Sequence, residues 1–305
     1  MMTNTPALEV NHLTKKIKGK QIIKDVSFTL YPGEVFGFLG PNGAGKTTTI
    51  RMIVGLISPT SGTIKIGGRN VRTEFTAAMK HLGCIVENPE LYPYLTGWEN
   101  LDHFARMDSS IPKDRLAEVI TLVGLSNRIH DRVSTYSLGM RQRLGIAQAL
   151  LGKPKVLILD EPTNGLDPAG IREMREFIRQ LAADENLSVL VSSHLLSEIQ
   201  LMCDRVAIIS KGSVIRTDSV DNLLAEQERV IWKAEPAHLA KQLLQEETVV
   251  TEGPDNTLIT LYNEPLLPEW NKKLVMAGVK VKEMRTQLPS LEDLFLEVTG
   301  GETID

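Results

Sequence analysis

The sequence predicts an α/β domain that carries a helical insertion, followed by a small α+β domain at the carboxyl end. Three observations support this prediction. Short apolar, β-rich runs alternate with helical periodicity from residue 7 to about residue 215, which is the pattern of an α/β sheet. Residues from about 97 to 152 break that alternation and show mostly helical spacing. After Gly212 the order of the elements changes again, so a second domain follows.

The first domain is expected to span residues 7–226, with the helical insertion at about 97–152. Its clearest strand runs, rich in Val, Ile and Leu, lie at Ile22–Leu30, Glu34–Leu39, Val156–Leu159, Val189–Val191 and Val206–Ser210. Apolar residues repeat at helical spacing from Ile171 to Leu181 and again from Leu195 to Met202. Strands and helices in this alternation predict ligand sites at the ends of the strands.

The second domain, residues 227–305, predicts elements in the order β-α-β-β-α-β, which is the split ferredoxin-like arrangement. Its expected strands and helices cover 228–234, 236–246, 247–252, 257–262, 266–277 and Val279–Arg285. The run Gly253–Asn256 predicts the turn of a hairpin. A last helix is expected after Pro289, with Ser290 as its N-cap. The extension carries no paired carboxylates or metal-ligand cluster, so a regulatory or dimer-stabilising role is expected.

Composition narrows the class of function. The 305 residues are 42% hydrophobic and 24% charged, which is typical of a globular protein. The formal net charge of −4 gives no general attraction to nucleic acid, and no nucleic-acid partner is expected. Two cysteines cannot form a disulfide framework, which favours a reducing compartment. No apolar run approaches the roughly 20 residues needed to cross a bilayer, so the chain is not expected to cross a membrane alone.

A phosphate-binding loop is the most specific motif of the sequence. It matches G-x-x-x-x-G-K-[ST] between the strand run Glu34–Leu39 and the helical run Thr49–Leu56, which is the context this motif requires. Its residues are Gly40, Pro41, Asn42, Gly43, Ala44, Gly45, Lys46, Thr47 and Thr48. Glycines let the backbone N–H groups surround phosphate oxygens, and the following helix adds its positive end.

These residues predict ATP and Mg²⁺ as cofactors. Lys46 is expected to reach the β- and γ-phosphates, the Thr47 hydroxyl to bind Mg²⁺, and Thr48 to contact the α-phosphate. A glycine-rich turn without function is the alternative, and the full spacing with both flanking elements makes it improbable.

Three further residues at strand ends are candidates for catalysis. Asp160 and Glu161 end the apolar run Val156–Leu159, which would fix Asp160 near the metal and let Glu161 polarise the attacking water. His194 follows another apolar run and is a candidate γ-phosphate sensor. Solvated surface carboxylates and a helix-capping histidine are the alternatives, and the phosphate loop earlier in the chain favours catalysis.

Together these motifs resemble the ATP-binding subunit of ATP-binding cassette (ABC) transporters, over residues 7–215. The distinguishing segment, Tyr136–Arg143, resembles the family signature, with Leu138 and Met140 in place of the usual glycine and glutamine. The resemblance implies a P-loop NTPase cassette in which two copies sandwich each ATP. Ser137 and Gly139 of one copy would then contact the γ-phosphate held by the other. Asn164–Asp167 matches the loop through which the two copies communicate.

Two departures from the family pattern stand beside the nucleotide. Ile17 occupies the place where the family usually has an aromatic residue stacked on adenine. An aliphatic side chain loses a stacking supplement of about 1–3 kcal/mol, which predicts weak base selectivity. Glu87 replaces the usual glutamine near Mg²⁺ and the lytic water; it keeps an oxygen ligand and adds negative charge. A surface acid at a strand end is the alternative for Glu87.

Glu87, the divergent signature and the carboxyl-terminal extension are similar to a subgroup that exports drugs, bacitracin and lantibiotics. The resemblance implies a separate transmembrane permease as partner and a place at the cytoplasmic face of the cell membrane. Aromatic residues after Glu87, among them Tyr92, Tyr94 and Trp98, suit contact with such a partner. Packing inside the helical insertion is the alternative for each of them.

Two other classes of function were weighed. Cassette ATPases that act on ribosomes usually carry two cassettes, and those that act on DNA carry a long coiled coil, whereas this chain has one motif set and no heptad insertion. A small-molecule kinase would leave the signature and the communication loop unexplained. The sequence therefore favours an ATPase that drives a membrane exporter.

Overall fold

The structure is a computed structural model that describes residues 5–86, 88–193, 195–225, 228–287 and 290–299. The chain divides into two compact units, one ending at Ser219 and the other beginning at Val220. The boundary lies before the expected one at residue 226, because the short helix Val220–Ala225 contacts the last helix, Leu291–Thr299. Within the described ranges, no helix is long and apolar enough to cross a membrane.

The first unit contains ten strands and seven helices in chain order. The strands are β1 (Leu8–Ile17), β2 (Lys20–Leu30), β3 (Val35–Leu39), β4 (Ser61–Ile66), β5 (Arg69–Asn70), β6 (Leu82–Ile85), β7 (Val156–Asp160), β8 (Ser188–Ser192), β9 (Arg205–Ser210) and β10 (Ser213–Ser219). The helices are α1 (Lys46–Ile53), α2 (Phe75–Met79), α3 (Gly97–Ala105), α4 (Arg115–Leu122), α5 (Leu138–Leu150), α6 (Pro168–Asp184) and α7 (Leu196–Met202). The five expected strand runs are confirmed to within two residues.

The strands form one sheet in the order β5-β4-β1-β2-β10-β9-β3-β8-β7-β6. Strands β9, β3, β8, β7 and β6 run parallel, and every residue of β3, β7 and β8 is buried, which explains their unbroken apolar sequences. The carboxyl ends of parallel strands meet at one edge of a sheet. Here that edge brings together Leu39, Asp160 and Ser192, since Asp160 pairs with Ser192 and Phe38 pairs with the same serine.

Residues 97–150 hold α3, α4 and α5. Helix α3 begins with a capping box, in which Thr96 and Glu99 satisfy each other's backbone N–H groups. The buried Asn100 accepts from Tyr92 N at 2.8 Å and donates to the Tyr92 carbonyl at 3.1 Å. These bonds hold the aromatic segment before α3 against that helix.

The second unit begins with α8 (Val220–Ala225) and contains four strands. Its further elements are β11 (Arg229–Glu235), α9 (Ala237–Gln245), β12 (Val250–Glu252), β13 (Leu258–Leu261), α10 (Leu267–Met276), β14 (Lys280–Gln287) and α11 (Leu291–Thr299). All strand pairs are antiparallel, in the order β12-β13-β11-β14. Trp232 anchors the core, and its indole N–H donates to Thr260 Oγ1 at 3.0 Å. The expected cap of α11 is confirmed, since Asp293 N donates to Ser290 Oγ at 3.1 Å.

Candidate functional site

The loop of residues 40–48 joins the end of β3 to the start of α1, as its motif predicts. Two of its glycines have no room for a side chain. A Cβ placed on Gly40 would lie 2.4 Å from the Ile209 carbonyl oxygen, and one on Gly45 would lie 2.3 Å from Ile23 Cδ1. Gly45 also has φ of 111°, a left-handed conformation that disfavours any other residue. Packing against β9 and β2 therefore fixes the loop's path.

Lys46, the first residue of α1, lies across this loop. Its ammonium group donates to the Gly40 carbonyl and, at 3.4 Å, to the Pro41 carbonyl. Burial lowers the pKa of Lys46, while the negative charges of Glu161 and Asp160 act in the opposite direction. That electrostatic coupling places both carboxylates close to the lysine. The structure thus unites the first and second motifs at one edge of the sheet.

Asp160 and Glu161 are both held by Ser192, at the end of the neighbouring strand β8. The Ser192 hydroxyl donates to Asp160 Oδ1, and the Ser192 carbonyl accepts from Glu161 N at 3.0 Å. Ser192 is fully buried and Asp160 is 8% exposed, so water does not compete strongly for these bonds. The sequence analysis did not identify Ser192. Its only sequence signal was its place directly after the apolar run Val189–Val191.

Glu161 has an unusual backbone conformation. Its φ is 53°, in the left-handed region that costs a non-glycine residue on the order of 1–3 kcal/mol. The bond from its N–H to Ser192 holds this conformation at the point where β7 ends. Strained residues of this kind concentrate at functional sites, which agrees with a catalytic carboxylate here.

Ser137 and Gly139 lie at the amino end of the 13-residue helix α5. Ser137 is exposed and caps the helix, accepting from Met140 N at 3.2 Å. The space over Gly139 is open: a Cβ there would come 3.8 Å from Leu166 Cδ2. The preceding Tyr136 is buried, and its hydroxyl donates to the Arg128 carbonyl at 2.7 Å. A rigid base therefore carries an accessible hydroxyl and the positive end of a helix.

The communication loop, residues 164–167, leads into α6. Asp167 caps this helix by accepting from Gly170 N at 3.0 Å, and Pro168 is its first residue. Gly165 has φ of 75°, and a Cβ on it would lie 3.1 Å from Leu138 Cδ2. The loop and the signature segment are therefore in direct contact.

The remaining candidates differ in what can be said of them. Ile17 is 43% exposed at the end of β1, next to the tight turn formed by Lys18 and Gly19, both with positive φ. An exposed aliphatic side chain there can cover an aromatic base without stacking on it. Glu87 and His194 lie outside the described residues.

The aromatic residues after position 87 are only partly packed. The Tyr92 ring meets the His103 ring edge-on at 5.3 Å, between centroids, and Trp98 lies 5.9 Å from His130. Tyr94 is 67% exposed and Trp98 is 37% exposed. Packing therefore fixes Tyr92, while the other two side chains remain available to a partner.

The donor set suits Mg²⁺. The Asp160 carboxylate and the exposed Thr47 hydroxyl are hard oxygen ligands. Across the described residues there is no group of three or more His, Cys, Asp and Glu residues that could hold a metal by itself. Mg²⁺ is usually bound by one or two protein oxygens together with substrate phosphates and water, so this sparse set fits it.

Comparison with known proteins gives the family. The family model described as ABC transporter matches residues 23–164. An uncharacterized ABC transporter ATP-binding protein of Bacillus subtilis, YhcH, is 51% identical over 294 residues, which are 96% of each chain. The chain belongs to the ABC transporter family. It is an ATP-binding subunit of that family, and therefore an ATPase.

Two further relatives bear on the kind of transporter and on the fold. The bacitracin transport ATP-binding protein BcrA of Bacillus licheniformis is 39% identical over 301 residues, covering 97% of this chain and 98% of the relative. The solved structure of cbiO1 from Clostridium perfringens, part of the ABC transporter complex cbiONQ, matches with a TM-score of 0.67 and 25% identity. That match covers 79% of this chain and 96% of cbiO1. The cassette fold expected from the sequence is confirmed.

Proposed function

We propose that two copies of this ABC subunit sandwich two MgATP molecules and drive a separate transmembrane exporter. The observation that supports the sandwich most strongly is the amino end of α5. Ser137 is exposed there, and Gly139 is open on its outer side, so the helix presents a hydroxyl and backbone donors outward. Such a terminus binds phosphate when one is presented to it. A second copy, with ATP on its own phosphate loop, is the partner that presents one.

Within each site, residues of one copy hold the nucleotide. The loop backbone and Lys46 bind the phosphates, Thr48 contacts the α-phosphate, and Ile17 covers the base. Thr47 and Asp160 would hold Mg²⁺, which when bound neutralises charge on the phosphate oxygens and fixes their orientation. Glu161 orients and polarises the attacking water, and the strained backbone at this residue fixes the direction of its carboxylate.

Three assignments rest on the resemblance to the family. His194 is assigned to the γ-phosphate and Glu87 to the metal and the lytic water, and both lie outside the described residues. Ser137 with Gly139 is assigned to the γ-phosphate of the other copy. In each case the atoms of this chain bind or orient, while closure and reopening of the two copies transmit the energy of hydrolysis.

Export is supported by the similarity to a bacitracin transport protein along nearly the whole chain. A separate permease is supported by the exposed Tyr94 and Trp98 on the helical insertion, which offer apolar surface to a partner helix. The subunit would then sit at the cytoplasmic face of the membrane. We also assign the second unit as a ferredoxin-like accessory domain, supported by its antiparallel order β12-β13-β11-β14.

Purification from detergent-solubilised membranes tests the exporter assignment. The full chain, tagged at one end, should bring down one multi-span membrane protein, and Tyr94→Ala with Trp98→Ala should lower its recovery. Lys273→Ala, an exposed change in the second unit, is the matched control and should leave recovery unchanged. Recovery with ribosomes and with no membrane protein would overturn the assignment.

A further inference from the structure

The signature segment and the communication loop of one chain hold each other through two leucines and two glycines. Leu138 lies against Gly165, where a Cβ would come 3.1 Å from Leu138 Cδ2. Leu166 lies over Gly139, where a Cβ would come 3.8 Å from Leu166 Cδ2. Each segment thus places a leucine on the glycine of the other. We name these four residues the leucine clasp.

The leucine clasp joins the starting points of two long helices. Leu138 directly follows Ser137, the N-cap of the 13-residue helix α5. Leu166 directly precedes Asp167, the N-cap of the 17-residue helix α6. Both leucines are half-buried, whereas Ser137 and Asp167 are exposed. The apolar contact therefore lies beneath two capping residues and fixes one relative to the other.

The two contacts leave little room for independent movement. Gly165 has φ of 75°, so a side chain there would be strained as well as crowded by Leu138. Leu166 is also close to Gly170 in the first turn of α6, where a Cβ would lie 3.5 Å from Leu166 Cβ. A shift of the signature segment must therefore carry the communication loop with it.

We propose that the leucine clasp makes the signature segment and the communication loop one rigid element, with Leu138 as a positioning residue. The inference rests on the proposed nucleotide sandwich, in which Ser137 meets ATP held by the second copy. Leu138 stands where the family usually has glycine, which has no side chain to reach Gly165. The rigid coupling is therefore a property of this chain's own sequence.

A double-mutant cycle tests the clasp. The background is Glu161→Gln, which is expected to bind ATP without hydrolysing it, and the quantity measured is the dimer dissociation constant in ATP by analytical ultracentrifugation. Leu138→Ala and Leu166→Ala should each weaken the dimer about tenfold, and the double variant should be no weaker than either single one, a non-additivity expected for residues in contact. ATP binding by the monomer should not change, since the phosphate loop is untouched.

Met140→Gln is the matched control. It also restores the residue usual for the family in the same turn, but its side chain is not part of the clasp, so its effect should add to that of Leu166→Ala. If a leucine-to-alanine variant lowers the folded fraction, Leu138→Met keeps the volume and should retain dimerisation within about twofold. Additive effects of Leu138→Ala and Leu166→Ala would overturn the clasp and leave the sandwich intact. A Glu161→Gln chain that stays monomeric in ATP would overturn both.

Discussion

Replacing Ser192 by alanine tests how the two catalytic carboxylates are held. The change removes one hydroxyl, the donor to Asp160 Oδ1, and leaves the Ser192 carbonyl that accepts from Glu161 N. Glu161 should therefore keep its backbone conformation. Asp160 loses a bond in a site where it is only 8% exposed, so water cannot readily replace it.

The size of the effect follows from the type of bond. A hydrogen bond to a charged group contributes about 1.5–3 kcal/mol, and the lost packing of one buried oxygen is small beside it. Changes to groups that orient metal ligands typically lower metal affinity or activity about 10–100-fold. We expect Ser192→Ala to raise the Mg²⁺ concentration for half-maximal ATPase activity about tenfold or more. The affinity for ATP without metal should stay near that of the unmodified chain.

The assay is ATP hydrolysis at saturating ATP over a series of Mg²⁺ concentrations, with metal-free nucleotide binding measured beside it. Ser193→Ala is the control, because this neighbour is equally buried but its Oγ accepts from Leu195 N at 3.0 Å. An unchanged Mg²⁺ profile in Ser192→Ala would refute the reasoning. So would an equal shift in both variants, since that would reflect general loosening of the strand end.

Three further predictions concern other parts of the nucleotide site. Gly45→Ala should abolish ATP binding, measured by a fluorescent ATP analogue, because its Cβ would lie 2.3 Å from Ile23 Cδ1 at a φ of 111°; near-normal binding would contradict the packing described. ATP and GTP should be hydrolysed at similar rates, with Ile17→Tyr restoring a preference, and a strong ATP preference in the unmodified chain would remove the role of Ile17. Glu87→Gln should change the Mg²⁺ dependence of the ATPase, and an unchanged profile would remove the metal role of that carboxylate.

Contiguous motifs could be predicted from the sequence, because the chain itself sets their geometry. The phosphate loop needs only a buried strand before it and a helix after it, and both were visible as apolar runs. Ser290 was identified as an N-cap for the same reason: its partner, Asp293, lies three residues away. Strands β3, β7 and β8 were found because complete burial gives them unbroken apolar runs.

Features that depend on distant pairing could not be predicted. The role of Ser192 comes from its register opposite Asp160, which only the assembled sheet sets. The contact of Leu138 with Gly165 likewise joins segments that are far apart in the chain. Strand β1 was missed because its pairing with β2 shifts register between Val10 and Leu13, and such irregularity breaks the alternation that marks a half-buried strand.

A mixture of two inactive variants tests the central claim most directly. If each site takes Lys46 from one copy and Ser137 from the other, Lys46→Ala and Ser137→Arg should each abolish ATPase activity in their own dimers. In a mixed dimer both defects fall in one site, and the second site is intact.

Equal mixing makes half of the dimers mixed, each with one of two sites working, so activity should return to about a quarter of that of the unmodified chain. The two variants are purified separately, mixed and assayed for phosphate release. Recovery near that level is the predicted result. A mixture as inactive as its two components would contradict the account, because it would mean that each chain supplies its whole site alone.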